Sequence, residues 1–107
     1  MHINIKATNL DLTPALKEYI EEKIGSVKKI LSRWDTEGVA EAWVEVGRIT
    51  EHHHKGDVFR AEANIRVPGK ILRAEDEDWD ARVAIDRVKD KLKREAEKYK
   101  EIKERTR

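Results

Sequence analysis

The sequence predicts one α+β domain over residues 1–107, with four strands and two helices in the order β-α-β-β-β-α. Apolar residues alternate with polar ones in four short segments, which is typical of half-buried strands. Two longer segments repeat apolar residues at helical spacing. A helix between the first two strands allows them to pair in parallel, whereas short turns make the later strands antiparallel. We therefore expect a four-stranded sheet with both helices packed on one face.

The N-terminal third predicts a strand followed by an amphipathic helix. Alternation over 3–7 indicates the strand, and Thr13 followed by Pro14 is typical of a helix start. The helix is predicted over 14–33. Gly25 inside it costs about 1 kcal/mol relative to alanine, which suggests a kink or close packing there. The apolar positions that define this helix are Leu16, Ile20, Ile24, Val27, Leu31 and Trp34.

Three further strands follow in the middle of the chain. Alternation predicts strands over 40–46 and 59–67, with a polar loop at 50–57 between them. Pro68 and Gly69 predict a tight turn that leads into a short strand over 71–75.

The second helix is predicted over 80–104. Asp80 is the expected N-cap, and Trp79 is placed to pack onto Ala84. The acidic run 75–78 lacks the spacing of a calcium loop, so we interpret it as a segment that leads into the helix beside its dipole. The apolar stripe consists of Ala84, Ile85, Val88, Leu92, Ala96, Tyr99 and Ile102.

Composition excludes several classes of protein. There is no cysteine, so disulfides and thiolate chemistry are absent. The apolar runs are too short to cross a bilayer, and residues 1–4 do not resemble a signal peptide, so we expect a cytoplasmic protein. Phosphate loops, nucleophile motifs and glycine-rich fingerprints are missing from the sequence, which predicts a non-enzymatic protein without a cofactor.

The charge is informative through its distribution, because the net charge is only +1 although 42% of residues are charged. Helical projection of the second helix places cations on both shoulders of the apolar stripe and acidic residues on the outer arc. One shoulder carries Lys89, Lys93 and Lys100, and the other carries Arg87, Lys91, Arg94 and Lys98. The first helix adds Lys17, Lys23, Lys28, Lys29 and Arg33.

Two interpretations of these cations stay open. Two basic ridges can straddle a phosphate backbone and bind it without reading sequence. Alternatively, lysine and glutamate four residues apart simply solvate a long helix.

The histidines and tryptophans are further candidates for ligand-binding residues. The adjacent histidines 52–54 lack the helical spacing of metal ligands, so we expect no metal site and favour a polar loop that can touch RNA. Trp34 and Trp79 are expected to pack. Trp43 falls on the polar register of its strand and is the candidate for base stacking.

The segment 80–86, continuing through Asp90-Lys91-Leu92-Lys93-Arg94, resembles the second helix of the ribosome hibernation-promoting factors, also called ribosome-associated inhibitors or ribosomal subunit interface proteins. The segments 12–20, 54–58 and 67–74 are similar to that family in the same order. The pair Ala81-Arg82 departs from the family pattern, and Ser26 stands where the family commonly has a lysine.

The resemblance implies a fold similar to double-stranded-RNA-binding domains, with different connectivity. It implies a monomeric short-form factor that occupies the mRNA and tRNA channel of the small ribosomal subunit, contacts rRNA and blocks translation when nutrients are scarce. By position it implicates Lys91, Arg94, Lys98 and Lys100, with Lys17, Lys23 and Lys28 on the first helix. Helical projection alone adds Arg87, Lys89 and Lys93.

Two rival hypotheses also remain. The domain can be a general RNA-binding module without ribosome preference. It can also be a protein-interaction domain whose mixed-charge sheet face, with Glu41, Glu45 and Arg66, is the working surface.

Overall fold

The computed structural model describes residues 1–34, 40–49, 56 and 58–105. The predicted element order is confirmed, with a short 3₁₀ turn added after the first helix. The elements are β1 (His2–Thr8), α1 (Pro14–Lys28), the 3₁₀ turn (Ser32–Trp34), β2 (Glu41–Ile49), β3 (Val58–Val67), β4 (Lys70–Asp78) and α2 (Ala81–Arg105).

The four strands form one mixed sheet in the order β1-β2-β3-β4. β1 pairs in parallel with β2, and the two hairpins that follow are antiparallel, as predicted. Both helices bury their apolar stripes against the same face of the sheet, in one core. Residues buried from the helices and from the strands include Ile20, Ile24, Leu92, Ile65 and Leu72. The opposite face of the sheet carries polar and charged side chains.

Both helices start at the predicted caps. The Leu16 N–H donates to Thr13 Oγ1 at 3.2 Å, and the Arg82 N–H donates to Asp80 Oδ1 at 2.8 Å. Each cap satisfies a backbone donor that the first turn of a helix leaves without a partner.

α1 ends five residues earlier than predicted, at Lys28. The N–H groups of Ile30 and Leu31 donate to the carbonyls of Val27 and Lys28, three residues back, which tightens the chain into a turn. Leu31 stays fully buried, so the apolar pattern continues although the α-helix does not. A Cβ at Gly25 would meet nothing within 4 Å, so close packing does not explain this glycine.

The acidic run precedes the second helix, but it does so as the last part of a strand that we predicted to end at residue 75. These residues extend β4 to Asp78, three residues beyond the predicted end. They extend the strand because Asp76 and Asp78 turn toward α2, where cationic side chains meet their carboxylates. The charge of the acidic strand is thus offset by Arg87 and Lys91 of α2 on one face and by Arg60 and Arg73 on the other.

The expected packing of Trp79 is also wrong, since 57% of this residue is exposed. It lies in the two-residue connection between β4 and α2, beside Glu77, Asp78 and Arg87. Trp43 lies on the outer sheet face, 39% exposed, with the Arg66 guanidinium 5.5 Å from its ring centroid. The Trp34 side chain and the histidines 52–54 lie outside the described residues.

Candidate functional site

The two helices are joined by a polar contact at the edge of their shared apolar seam. Tyr19 on α1 donates a hydrogen bond of 2.6 Å to Asp86 Oδ1 on α2. This hydrogen bond, followed by burial, raises the pKa of Tyr19 to about 12. The Arg82 guanidinium and the Lys23 ammonium lie 4.9 Å and 5.3 Å from the Tyr19 ring centroid, within cation–π range. The Lys23 stem therefore packs beside an aromatic ring, with its ammonium at the surface.

A groove of ≈ 480 Å³ runs between the helices beside this contact. Lys23 and Lys29 of α1 line it, and Lys89 and Lys93 of α2 line it too, so the structure brings one predicted shoulder to the first helix. Gly25 and Ser26, two small residues, also line it, and Glu21 and Glu22 are acidic neighbours.

The lysines of this groove differ in how far they are neutralised. Lys89 Nζ lies 3.1 Å from Asp90 Oδ1, and only 18% of the Lys89 side chain is exposed. Within the described part of the chain, Lys29 and Lys93 form no ion pair. Cations without an internal partner are available to an anion from outside.

Lys17 and Lys28 lie on the other side of α1, in a second groove beside β1. Lys17 Nζ is 3.9 Å from Glu21 Oε1, an exposed pair one helical turn apart. Gly25 lines both grooves. Because glycine has no side chain, the surface of α1 is recessed there, between Lys23 and Lys29 on one side and Lys17 and Lys28 on the other.

The cations of the second predicted shoulder of α2 lie in two different surroundings. Arg87 and Lys91 turn to the edge of β4, where each reaches a backbone carbonyl and a carboxylate. The pKa of the Asp76 carboxyl is lowered: burial acts to raise it, but hydrogen bonds from the Glu77 N–H and from Lys91 outweigh that effect. Both cations therefore have hydrogen-bond and ion-pair partners within the molecule.

The distal half of α2 presents the remaining candidates. Arg94, Lys98 and Lys100 are exposed, and none of them forms an ion pair with another described residue. The buried Tyr99 hydroxyl donates to Pro68 O at 2.7 Å and ties this half of the helix to the β3–β4 turn. Burial raises the pKa of Tyr99.

The outer sheet face is charged but internally neutralised. Arg60 pairs with Glu62 and Glu75, and Arg73 lies 3.6 Å and 3.5 Å from the same two carboxylates. The pKa of Glu62 is lowered, by a hydrogen bond from the Asn64 amide and by Arg60 and Arg73. Arg66 Nη2 is 3.1 Å from Glu41 Oε2. This face offers few charges without partners to a ligand.

Sequence reasoning missed the Tyr19–Asp86 contact and left Lys29 out of the candidate residues. In the sequence, Tyr19 lies beside the apolar stripe of the first helix. A tyrosine at the margin of such a stripe commonly pairs its hydroxyl across a helix interface, and this was the available signal.

Among the described residues, no group of three or more His, Asp or Glu side chains is arranged to hold a metal ion. The described helices include none with the length and apolarity that a membrane crossing requires.

Comparison with known proteins gives the family. Residues 3–104 match the family model described as Sigma 54 modulation protein / S30EA ribosomal protein. The chain is 36% identical over 99 residues to a ribosome hibernation promotion factor of Lactococcus lactis, covering 91% of this chain and 48% of that relative. It is 34% identical over 101 residues to the ribosome hibernation promoting factor of Azotobacter vinelandii, covering 94% and 84%. The chain thus spans about half the length of the Lactococcus relative.

Two solved structures have the same fold. The N-terminal domain of Thermus thermophilus Protein Y has a TM-score of 0.68 and 27% identity, covering 92% of this chain and 99% of that one. A ribosomal subunit interface protein from Coxiella burnetii has a TM-score of 0.71 and 24% identity, covering 94% and 98%. The family model spans nearly all of the elements that build the two-helix face, and the chain belongs to the Sigma 54 modulation protein / S30EA ribosomal protein family.

Proposed function

We propose that this protein is a hibernation factor, a ribosome-binding inhibitor of translation. It occupies the mRNA and tRNA channel of the small subunit and contacts rRNA through its two-helix face. The names of the relatives in Lactococcus and Azotobacter support the ribosome as partner. A ribosomal partner in turn implies a cytoplasmic location. We propose that the domain acts as a monomer and catalyses no reaction.

The observation that carries this proposal is the unequal neutralisation of the two faces. On the sheet face, Arg60, Arg66 and Arg73 are each paired with glutamates. On the helix face, cations that line the inter-helix groove or the distal half of α2 lack such partners within the described chain. They are Lys29, Lys93, Arg94, Lys98 and Lys100.

This asymmetry favours a polyanion as the ligand of the helix face. Unpaired lysines bind phosphates mainly through release of condensed counterions, so affinity falls steeply with salt. The geometry suits a backbone rather than a base, because lysines contact phosphates and supply register without reading sequence.

Co-sedimentation with purified small ribosomal subunits tests the proposal. We expect the protein to pellet with subunits at low salt and progressively less at moderate salt. We also expect purified protein to inhibit translation in a cell-free system. Recovery of the protein in subunit-free fractions at both salt concentrations would contradict a ribosomal partner.

The second candidate is a general RNA-binding module, which the same unpaired lysines favour. Competition with an excess of bulk duplex RNA separates the two functions. A ribosome-specific factor resists the competitor, whereas a general module is released from the subunits.

A further inference from the structure

The free edge of the sheet at β4 carries a contact that RNA binding does not use. β4 is the last strand of the sheet, and a two-residue turn at 68–69 joins it to β3. Along a strand, alternate residues point their N–H and C=O groups to the same edge. Two residues apart, Glu75 and Glu77 therefore expose carbonyls on the unpaired side. Unpaired strand edges are templates for pairing with another chain.

Two cations of α2 cover these carbonyls. Lys91 Nζ donates to Glu75 O at 2.9 Å, and Arg87 Nη1 donates to Glu77 O at 3.2 Å. Each cation also lies 3.2 Å from a carboxylate of the next residue, Lys91 from Asp76 and Arg87 from Asp78. One side chain thus bridges a backbone carbonyl and a carboxylate, twice in succession.

The spacing of the two contacts matches between helix and strand. Four residues of an α-helix advance about 6 Å, and two residues of a strand advance about 6.6–6.8 Å. α2 runs antiparallel to β4, so Arg87 meets the end of the strand and Lys91 meets the position two residues earlier. The next position on the same helix face is Glu95, whose side-chain carboxylate cannot donate a hydrogen bond to a carbonyl.

We propose that Arg87 and Lys91 are positioning residues, which hold α2 in register along β4 and close the edge of that strand, and which do not contact RNA. The assignment of RNA contacts rests on the proposed function. The closure of the edge does not. On this view Lys93 in the groove, with the cations beyond it on α2, supplies the RNA contacts of the helix.

The salt dependence of binding distinguishes a positioning residue from a phosphate contact. We would measure the affinity of Lys91→Met for purified small subunits over a series of potassium concentrations at constant magnesium. Arg94→Met is the matched control, because it removes from the same helix an exposed cation that forms no ion pair with another described residue. The logarithm of the binding constant K falls as the logarithm of the salt concentration rises. Loss of one phosphate contact makes this slope less steep, by about 0.7–0.9.

We expect Lys91→Met to weaken binding several-fold while the salt dependence stays as steep as in the wild type. We expect Arg94→Met to make the salt dependence less steep. The inference would be overturned if the salt dependence of Lys91→Met became less steep by as much as that of Arg94→Met. An affinity for Lys91→Met equal to that of the wild type would also overturn it, because a displaced α2 must carry its cations with it.

A second measurement needs no ribosome. Sedimentation velocity of Arg87→Met/Lys91→Met, without RNA, should show self-association that grows with concentration, because the β4 edge is open. The single variant Lys91→Met provides the same readout if the double variant fails to fold. A monomeric variant at every concentration would overturn the closure of the edge. Absence of binding by the wild-type protein would instead contradict the proposed function alone.

Discussion

The Tyr19 hydroxyl and the Asp86 carboxylate, 2.6 Å apart, form a side-chain hydrogen bond between the two helices. The bond lies at the margin of the core, where the apolar seam of α1 and α2 ends and the lysine groove begins. The hydrogen bond therefore fixes the distance between the two helices beside the groove, where Lys23 of α1 faces Lys89 of α2.

Tyr19→Phe should lower the free energy of unfolding by about 1 kcal/mol, because the half-buried Asp86 carboxylate loses its donor but keeps some contact with water. Urea denaturation of Tyr19→Phe, Asp86→Asn and the double variant measures this as a double-mutant cycle. Additive effects of the two substitutions would show that the hydrogen bond contributes nothing to stability.

The same bond predicts a loss of stability at alkaline pH. The folded pKa of Tyr19 is about 12, above its ordinary value of 10.0, because the protonated phenol is the donor to Asp86. Its contribution is therefore complete below pH 10 and is lost as the pH rises from 10 toward 12.

Ultraviolet absorbance of tyrosinate follows this titration, since the chain has only two tyrosines. Asp86→Asn should lower the pKa of Tyr19 and remove most of the difference in stability between pH 10 and pH 12. Identical titration curves for the wild type and Asp86→Asn would refute the assignment.

Gly25→Ala should stabilise the protein by about 0.5–1 kcal/mol. The glycine lies inside α1, and a Cβ there meets nothing within 4 Å, so alanine adds helix propensity at no steric cost. Thermal denaturation measures the change. Ser26→Ala is a neighbouring control at which the helix gains less. A melting temperature below that of the wild type would contradict the prediction.

Lys93→Gln should weaken binding to small ribosomal subunits and lower the salt slope by about 0.7–0.9. Lys6→Gln removes the same charge from the outer sheet face and should change neither quantity, since the helix face carries the proposed interface. Binding titrations over a salt series compare the two. Equal losses from both variants would favour non-specific attraction by net charge.

Periodicity was sufficient to predict the fold. Apolar alternation placed all four strands, and Thr13 and Asp80 placed both helix starts, because cap chemistry is local. Strand β4 was predicted too short because four acidic residues in a row look unsuited to a sheet. Asp76 and Asp78 are compensated by Lys91 and Arg87, whose approach depends on how α2 packs.

The candidate site was predictable as a set of cations but not as a surface. Helical projection found both shoulders of α2, since it needs only the periodicity of a helix. It could not tell that Lys91 is bonded to β4 while Lys93 faces the groove, because both lie beside the same apolar stripe. That division is set by tertiary contacts, as is the lack of an ion pair at Lys29 within the described residues.

The parallel pairing of β1 with β2 has a consequence for the order of folding. β2, β3, β4 and α2 are joined by short connections, so their contacts close small loops, whereas β1 reaches β2 only across the whole of α1. Long loops cost more entropy to close, and we expect β1 and α1 to dock after the hairpins and α2 have formed. Folding kinetics would show this as φ-values near zero for Ile5→Val and clearly larger values for Ile65→Val. The helix groove, shared by α1 and α2, would then be completed in the last step of folding.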